Sequence, residues 1–296
     1  MEGYAPFGDL KTWYEVHGDL GFDQVPMLIV HGGPGYTHDY LESFAALADA
    51  GRAVILYDQI GNGKSSPGPA ADADFWVLDR LVDELASLVR HLGLSRHVVL
   101  GHSVGAGIAA SYALRRPHDL EGLILANGYA RSREFFEGLW TLRRGLPEPV
   151  QATLATHEAT GEFGHPDYQA ALGAFFTRHI CRLAEMPEPL LRSVMAAGTN
   201  PNVFATMYGP SLFRLNGTLA NWSIADRLSE IEVPTLVYRG AFDEVTANCT
   251  ETLLRGLPAA QSARFAQSSH VPHLEEAEVC LETVGVFLAG IDQQRH

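Results

Sequence analysis

Short apolar runs recur along the chain, each soon followed by a glycine, proline or carboxylate, and they constrain its fold more than any other feature. Met27–Val30 (MLIV), Ala53–Tyr57 (AVILY), Val98–Leu100, Leu123–Leu125 and Val233–Tyr238 (VPTLVY) carry no charged residue. A strand with one wet face must alternate polar and apolar residues, so uninterrupted runs suit strands covered on both faces, as in a parallel sheet. Lys11–His17 (KTWYEVH) does alternate and reads as a half-buried strand. Leu78, Leu81, Val82, Leu85, Leu88, Val89 and Leu92 recur at three- and four-residue intervals, which is the apolar stripe of one helix, and Gly93 offers its stop. Strand–helix–strand alternation with short connections predicts an α/β fold, a mostly parallel sheet flanked by helices.

This rhythm lapses at about Asn127. From there to about Trp222 the chain is strand-poor and helical, with aromatic residues in clusters. The sheet pattern then returns with Val233–Tyr238, a helix near Thr250–Leu257, an apolar stretch at Ala263–Ala266 and a last helix near Glu276–Leu288. A connection this long without structure of its own is rare. The expected organisation is therefore a core of residues 1–127 and 223–296, interrupted by a packed helical cap over 128–222. Trp140, Phe204, Tyr208 and Trp222 are candidates either to line a pocket beneath that cap or to form its own core.

Charge and composition narrow the partners. The chain of 296 residues has 21 Lys and Arg against 35 Asp and Glu, a formal charge of −14. Nucleic acid and anionic membranes both demand basic surface, so neither is expected as the main partner. No apolar run approaches the ~20 residues a membrane span needs. The start, Met1-Glu2-Gly3-Tyr4, has neither the basic residues nor the apolar stretch of a signal peptide. Cys181, Cys249 and Cys280 are odd in number and far apart, as expected of reduced thiols in a cytoplasmic protein.

The chemistry-bearing motifs stand at strand ends. Gly101-His102-Ser103-Val104-Gly105 follows an apolar run and precedes Ala106–Leu114, a helical stretch. G-x-S-x-G between a strand and a helix is the setting of a serine nucleophile on a sharp turn. His31-Gly32-Gly33-Pro34-Gly35 follows Met27–Val30 and offers backbone N–H groups to a developing oxyanion. Gly33 is the chosen donor there, with Val104, next after the serine, as the second. A phosphate loop is disfavoured because no G-K-[ST] follows. A reactive serine needs a base and the base an orienting acid, in the order serine, acid, histidine for this fold type. Asp243, after the turn that ends Val233–Tyr238, is the first candidate acid and Glu244 the fallback. Among 13 histidines, position selects His270 and His273, with His270 preferred because it lies in the loop itself. H-x-x-H without a suitably spaced third ligand does not make a metal site, so neither metal nor organic cofactor is expected. Asp58-Gln59-Ile60-Gly61-Asn62-Gly63 reads as a structural turn that positions neighbouring loops.

HGGPG, DQxGxGxS, GHSxG, a late G-x-x-D and SHxxHxE together resemble the α/β-hydrolase superfamily, and in particular its proline-iminopeptidase branch with the amino-acid amidases and the tricorn-associated aminopeptidase. The likeness runs through the cap, at Arg178–Arg182, Met207–Ser211 and Gly217–Leu219. It implies an α/β-hydrolase fold with an inserted helical cap. It also implies Ser103, Asp243 and His270 as nucleophile, acid and base, and Gly33 and Val104 as oxyanion donors. Glu244 matches a second amine-binding acid of some members, and Tyr208 and Leu212 fall in a cap segment near the substrate. Two positions depart from the branch: Val104 stands where an aromatic is usual, and Leu212 where the cap segment GP-x-E-F carries glutamate. An unpaired buried ammonium is costly, so the second change weakens the anchor for a free amine. The leading expectation is a serine hydrolase acting on a small aminoacyl amide or short peptide. The alternative is an ester, lactone or amide hydrolase for a more apolar substrate lacking a free amine. Behind these stand a non-catalytic binding protein and an acyl transferase on the same fold. The sequence leaves the oligomeric state open.

Overall fold

The computed structural model describes residues 1–70 and 72–293. Eight strands form one sheet: β1 Glu2–Phe7, β2 Leu10–His17, β3 Met27–Val30, β4 Val54–Tyr57, β5 His97–His102, β6 Leu120–Ala126, β7 Thr235–Gly240 and β8 Ala260–Phe265. Their order across the sheet is β1-β2-β4-β3-β5-β6-β7-β8. The first two strands are antiparallel to their neighbours and the remaining six run parallel. β1 was not expected from the sequence. Pro6 and Glu2 spoil its alternation, and it is held by its pairing to β2 rather than by its own pattern. β7 starts two residues after the expected Val233, since Pro234 has no N–H for the ladder.

Alternate side chains of the central strands enter two separate cores, as the two-residue period of a strand requires. Leu28, Val30, Ile55, Val99 and Leu123 pack on one face, against α1 (Leu78–His91) and α2 (Val104–Ala113). Met27, Ile29, Val54, Leu100 and Ile124 pack on the other, against a 3-10 helix His38–Ala50 that the sequence reading lacked.

Between β6 and β7 lie five α-helices, α3 Ser132–Arg144, α4 Glu148–Thr160, α5 Pro166–His179, α6 Glu188–Thr199 and α7 Pro201–Met207, and then a 3-10 helix Ala225–Glu230. The last four α-helices each carry proline in the first two positions, where the ring fits the helix and its missing N–H costs nothing. They enclose a third core around Phe135, Leu139, Leu154, Tyr168, Phe175 and Phe213. The chain then returns to the sheet and closes with α8 (Ala247–Gly256), the short α9 (Pro272–Glu275) and α10 (Ala277–Gln293). No helix among the described residues is long and apolar enough to cross a membrane. All three cysteines are free and buried.

Candidate active site

Ser103 sits between β5 and α2 with its backbone at φ 58° and ψ −125°. A non-glycine residue there carries strain of order 1–3 kcal/mol, held only if its surroundings leave no alternative. Here they leave none. Ser103 N–H donates to Ala126 O at 2.9 Å, and Ser103 O accepts from Ala106 N–H at 3.0 Å. A Cβ on Gly101 would come within 2.2 Å of Gly105 O, and one on Gly105 within 2.3 Å of Val30 O. These two glycines let the turn close, and the turn lifts the serine hydroxyl above the C-terminal edge of the sheet. Val104 opens α2, so its N–H belongs to the first turn, which helix hydrogen bonding leaves unpaired. Gly33, at φ 124°, lines the same cavity as Ser103.

Asp243 and His270 come from the loops after β7 and β8 and meet each other, with His270 lining the same cavity as Ser103. His270 Nδ1–H donates to Asp243 Oδ1 at 2.7 Å, and both residues are buried. Asp243 also accepts from Val245 N–H at 2.9 Å and from Asn127 Nδ2 at 2.6 Å. The same Asn127 amide donates to Ser269 O at 3.2 Å, tying acid loop to base loop. Asn127 was missed in the sequence. The signal was present: an Asn-Gly pair directly after a strand, with asparagine able to take the left-handed backbone found there, φ 51°. Glu275 pins the base loop from below, accepting from Ser269 N–H at 2.7 Å.

A second buried chain of hydrogen bonds joins the other loops. Gly32 N–H donates to Tyr40 Oη at 2.7 Å, and Tyr40 Oη lies 2.8 Å from His102 Nδ1. His102 Nε2 lies 2.7 Å from His270 O. A carbonyl only accepts, so His102 carries its proton on Nε2 and takes the tyrosine proton at Nδ1. The residue before Ser103 therefore links the glycine loop after β3 to the loop carrying His270. Neither Tyr40 nor His102 was singled out in the sequence. Partners 62 residues apart leave no local pattern. The Asp58 turn makes a comparable brace: its carboxylate accepts from His38 N–H at 3.0 Å and from Lys64 N–H at 2.9 Å.

The inserted helices reach this centre through main-chain atoms. His270 N–H donates to Ile180 O at 3.2 Å, and Glu244 N–H to His179 O at 3.1 Å. His270, Glu244, Ser103 and Gly33 share one cavity of about 560 Å³ with Tyr208 and Leu212. Among the four aromatic candidates, Phe204 and Tyr208 line it, while Trp140 lies at a different surface groove and Trp222 packs under α2 against Gly107. His273 faces away: its Nε2 lies 3.0 Å from Tyr40 O, and burial lowers it to about 3, so it stays a neutral imidazole.

Glu244 is the unusual group. Its Oε1 lies 3.5 Å from His270 Nε2, and its buried Oε2 has no hydrogen-bond partner. Burial, reinforced by the Asp243 charge and opposed by His270, raises it to about 7. Burial alone would lower the His270 imidazole, but the charges of Asp243 and Glu244 outweigh it and hold it above its ordinary value. His102 is driven the other way by burial and by its two histidine neighbours.

Comparison with known proteins supports this placement of elements. The family described by the alpha/beta hydrolase fold matches residues 25–277. A proline iminopeptidase of Saccharolobus solfataricus is 32% identical over 97% of this chain and 92% of its own. The crystal structure of VinJ superposes with a TM-score of 0.96 at 39% identity, over 98% of this chain and 99% of that one. The crystal structure of a proline iminopeptidase from Mycobacterium smegmatis gives a TM-score of 0.93 at 38% identity, over 100% of both chains.

Proposed function

This chain belongs to the α/β-hydrolase fold family, in its proline-iminopeptidase-like branch, and on that premise we propose that it is a serine hydrolase removing an N-terminal aminoacyl group from a small amide or short peptide. Ser103 Oγ attacks the acyl carbonyl while His270 Nε2 takes its proton. Asp243 holds Nδ1–H and stabilises the imidazolium that forms. The N–H groups of Gly33 and Val104 receive the oxyanion, an interaction worth about 3–4 kcal/mol per donor in comparable sites. The imidazolium then protonates the leaving amine, and water, activated by the same histidine, releases the acyl group. Part of this reading is the division of labour along the chain. Residues 1–127 and 223–296 form the core that holds the reacting groups, and residues 128–222 form a cap that shapes the cavity. A reducing, cytoplasmic setting fits the three free thiols.

One observation favours a substrate with a free amine over an ester or lactone: the unpaired, buried carboxylate oxygen of Glu244. An unsatisfied polar atom in that position is expensive unless something cationic completes it. The apolar side chains around it, Leu212 among them, favour the alternative of a neutral substrate. A pair of aminoacyl arylamides, free and N-acetylated, with a simple aryl ester decides between the two. The free amine is expected to have kcat/KM higher by about tenfold or more, the value of one good charge contact. An acetylated substrate or ester turned over as fast or faster overturns the aminopeptidase reading. Absence of fluorophosphonate labelling at Ser103 overturns the enzyme reading altogether.

A further inference from the structure

Glu244 faces two ways at once. One carboxylate oxygen lies 3.5 Å from His270 Nε2, the atom that must take the serine proton, and the other is buried without a partner. In the empty site the glutamate is thus placed to hold a proton on the very nitrogen that has to be bare. We propose that Glu244 is a substrate-operated gate on the base: it pairs with His270 in the free enzyme and is drawn off by the substrate's own ammonium. This rests on the aminopeptidase reading and adds to it, because the amine then raises the rate of the chemical step as well as the affinity.

The proton count closes. At and just above neutral pH, where Glu244 is ionised, the free enzyme holds its carboxylate against the His270 imidazolium. A cationic substrate brings its ammonium to the carboxylate, one of the negative neighbours of His270 is neutralised, and the imidazolium loses its proton to solvent. Nε2 is then free to accept the proton of Ser103 Oγ. A substrate without an amine leaves Glu244 where it was.

Carboxylates, neutral rings and phenols face the pair. Facing His270 are Asp243 at 2.7 Å, Glu244, Glu275 from α9, and the ring of His102 at 4.7 Å. His102 and His273 are both held neutral by burial. Facing Glu244 are His270, Asp243 and the phenols of Tyr36, Tyr129 and Tyr208. At the end of α5, His179 gives its carbonyl to Glu244 N–H, and burial keeps its own imidazole below the ordinary value. Asp243 is committed to His270 Nδ1, to Val245 and to Asn127. Glu244 is therefore the carboxylate free to change partner.

The test is the acid limb of the pH–rate profile, with prolinamide-type substrates offered free and N-acetylated. For the free amine, the limb of kcat should lie about one pH unit below that of kcat/KM, because removing one close opposite charge shifts a pKa by about 1–3 units. For the acetylated substrate the two limbs should coincide. Glu244→Gln should lower the kcat/KM limb for both substrates and erase the gap, and Glu244→Asp should keep part of it. With Ser103→Ala, binding of prolinamide just above neutral pH, where Glu244 is already ionised, should release a proton from His270, measured by calorimetry in buffers of different ionisation enthalpy. If free amines are preferred yet kcat and kcat/KM limbs coincide, the gate is overturned and Glu244 is an anchor only. If acetylated substrates have the higher kcat/KM at every pH, the aminopeptidase reading itself has failed.

Discussion

A methyl group added at Gly101, Gly105 or Gly240 would meet a main-chain oxygen at 2.2, 2.3 or 2.0 Å, whereas one added at Gly164, Gly173 or Gly198 would meet nothing within 4 Å. Gly101 and Gly240 lie at the ends of β5 and β7 and Gly105 in the first turn of α2, whereas the last three lie between β6 and β7. In the core, backbone runs so close to backbone that the loop shapes are over-determined, and a strained serine can be kept in place. Between the strands, these three glycines of the helical region have open space, and the tight ones there, Gly209 and Gly217 at 2.1 and 2.4 Å from main-chain atoms, lie in the loop that leads back from α7 to the sheet. The proposed reading gives reaction chemistry to the core and substrate choice to the cap, and each part of that proposal can be broken.

The largest effect should come from Ser103→Ala. Turnover should fall by about 10⁴-fold or more, as removal of a triad nucleophile does elsewhere, while circular dichroism and melting temperature stay close to the parent. Residual activity within a hundredfold of the parent would move the reacting group elsewhere. Next is Gly105→Ala, which touches no reacting atom. The new Cβ must displace Val30 O and His31 O, main-chain atoms at the end of β3 and the start of the glycine loop. A shift of about 1 Å there misaims an oxyanion donor, and about 100-fold in kcat is the expected loss. Unchanged kcat would show that the elbow has slack and remove the core half of the comparison.

Tyr40→Phe probes the buried chain from Gly32 to His270. It deletes one hydroxyl, orphaning Gly32 N–H and His102 Nδ1. Tyr40 positions other groups and does not meet substrate through this hydroxyl, so kcat should fall by about tenfold, the scale of one buried hydrogen bond, with KM nearly unchanged. A rise in KM alone would mean that the tyrosine matters to the cavity wall and not to loop alignment.

How much of this was legible in the sequence follows the same division. Strand ends and the G-H-S-V-G turn could be read because close backbone approach writes itself into local composition as glycine next to an apolar run. Ser103, Asp243 and His270 followed from their order after successive strands. Asn127 left a weak local trace. Tyr40 and His102 left none, since their roles depend on partners distant in the chain. Within the cap, Trp140 and Trp222 could not be sorted from Phe204 and Tyr208. An aromatic residue at helical spacing has the same pattern whether it faces a neighbouring helix or a cavity.

Leu212→Glu tests the cap half directly. Leu212 lines the cavity, and its carbonyl accepts from Tyr208 Oη at 2.8 Å. A carboxylate there would share the substrate ammonium with Glu244, so kcat/KM for free-amine peptides should rise by about threefold to tenfold, part of the gain being offset by the cost of burying a second charge. Ester turnover should fall. If free-amine substrates gain nothing, position 212 does not face the amine, and the apolar wall it forms serves the remainder of the substrate.

The smallest effect is Gly198→Ala, and it is the one that isolates the cap from chemistry. Gly198 lies in α6, its backbone is helical, and a Cβ there has open space. Alanine in a helix is favoured over glycine by about 0.5–1 kcal/mol, largely because glycine loses more freedom on folding. For a chain of this size that is worth about 1–3 °C in melting temperature. The same helix carries Leu190 and Val194 on the cavity wall and Arg192, which pairs with Asp39 of the core at 2.8 Å. Calorimetry should therefore show a modest upward shift while kcat and KM stay within about twofold, an energy change smaller than 0.5 kcal/mol. A fall in stability would mean that α6 uses the glycine for backbone freedom. A rise in KM without loss of stability would mean that α6 must bend to admit substrate. Either result would place a constraint on the cap comparable to those on the core, and the contrast between the two sets of glycines would no longer divide chemistry from selectivity.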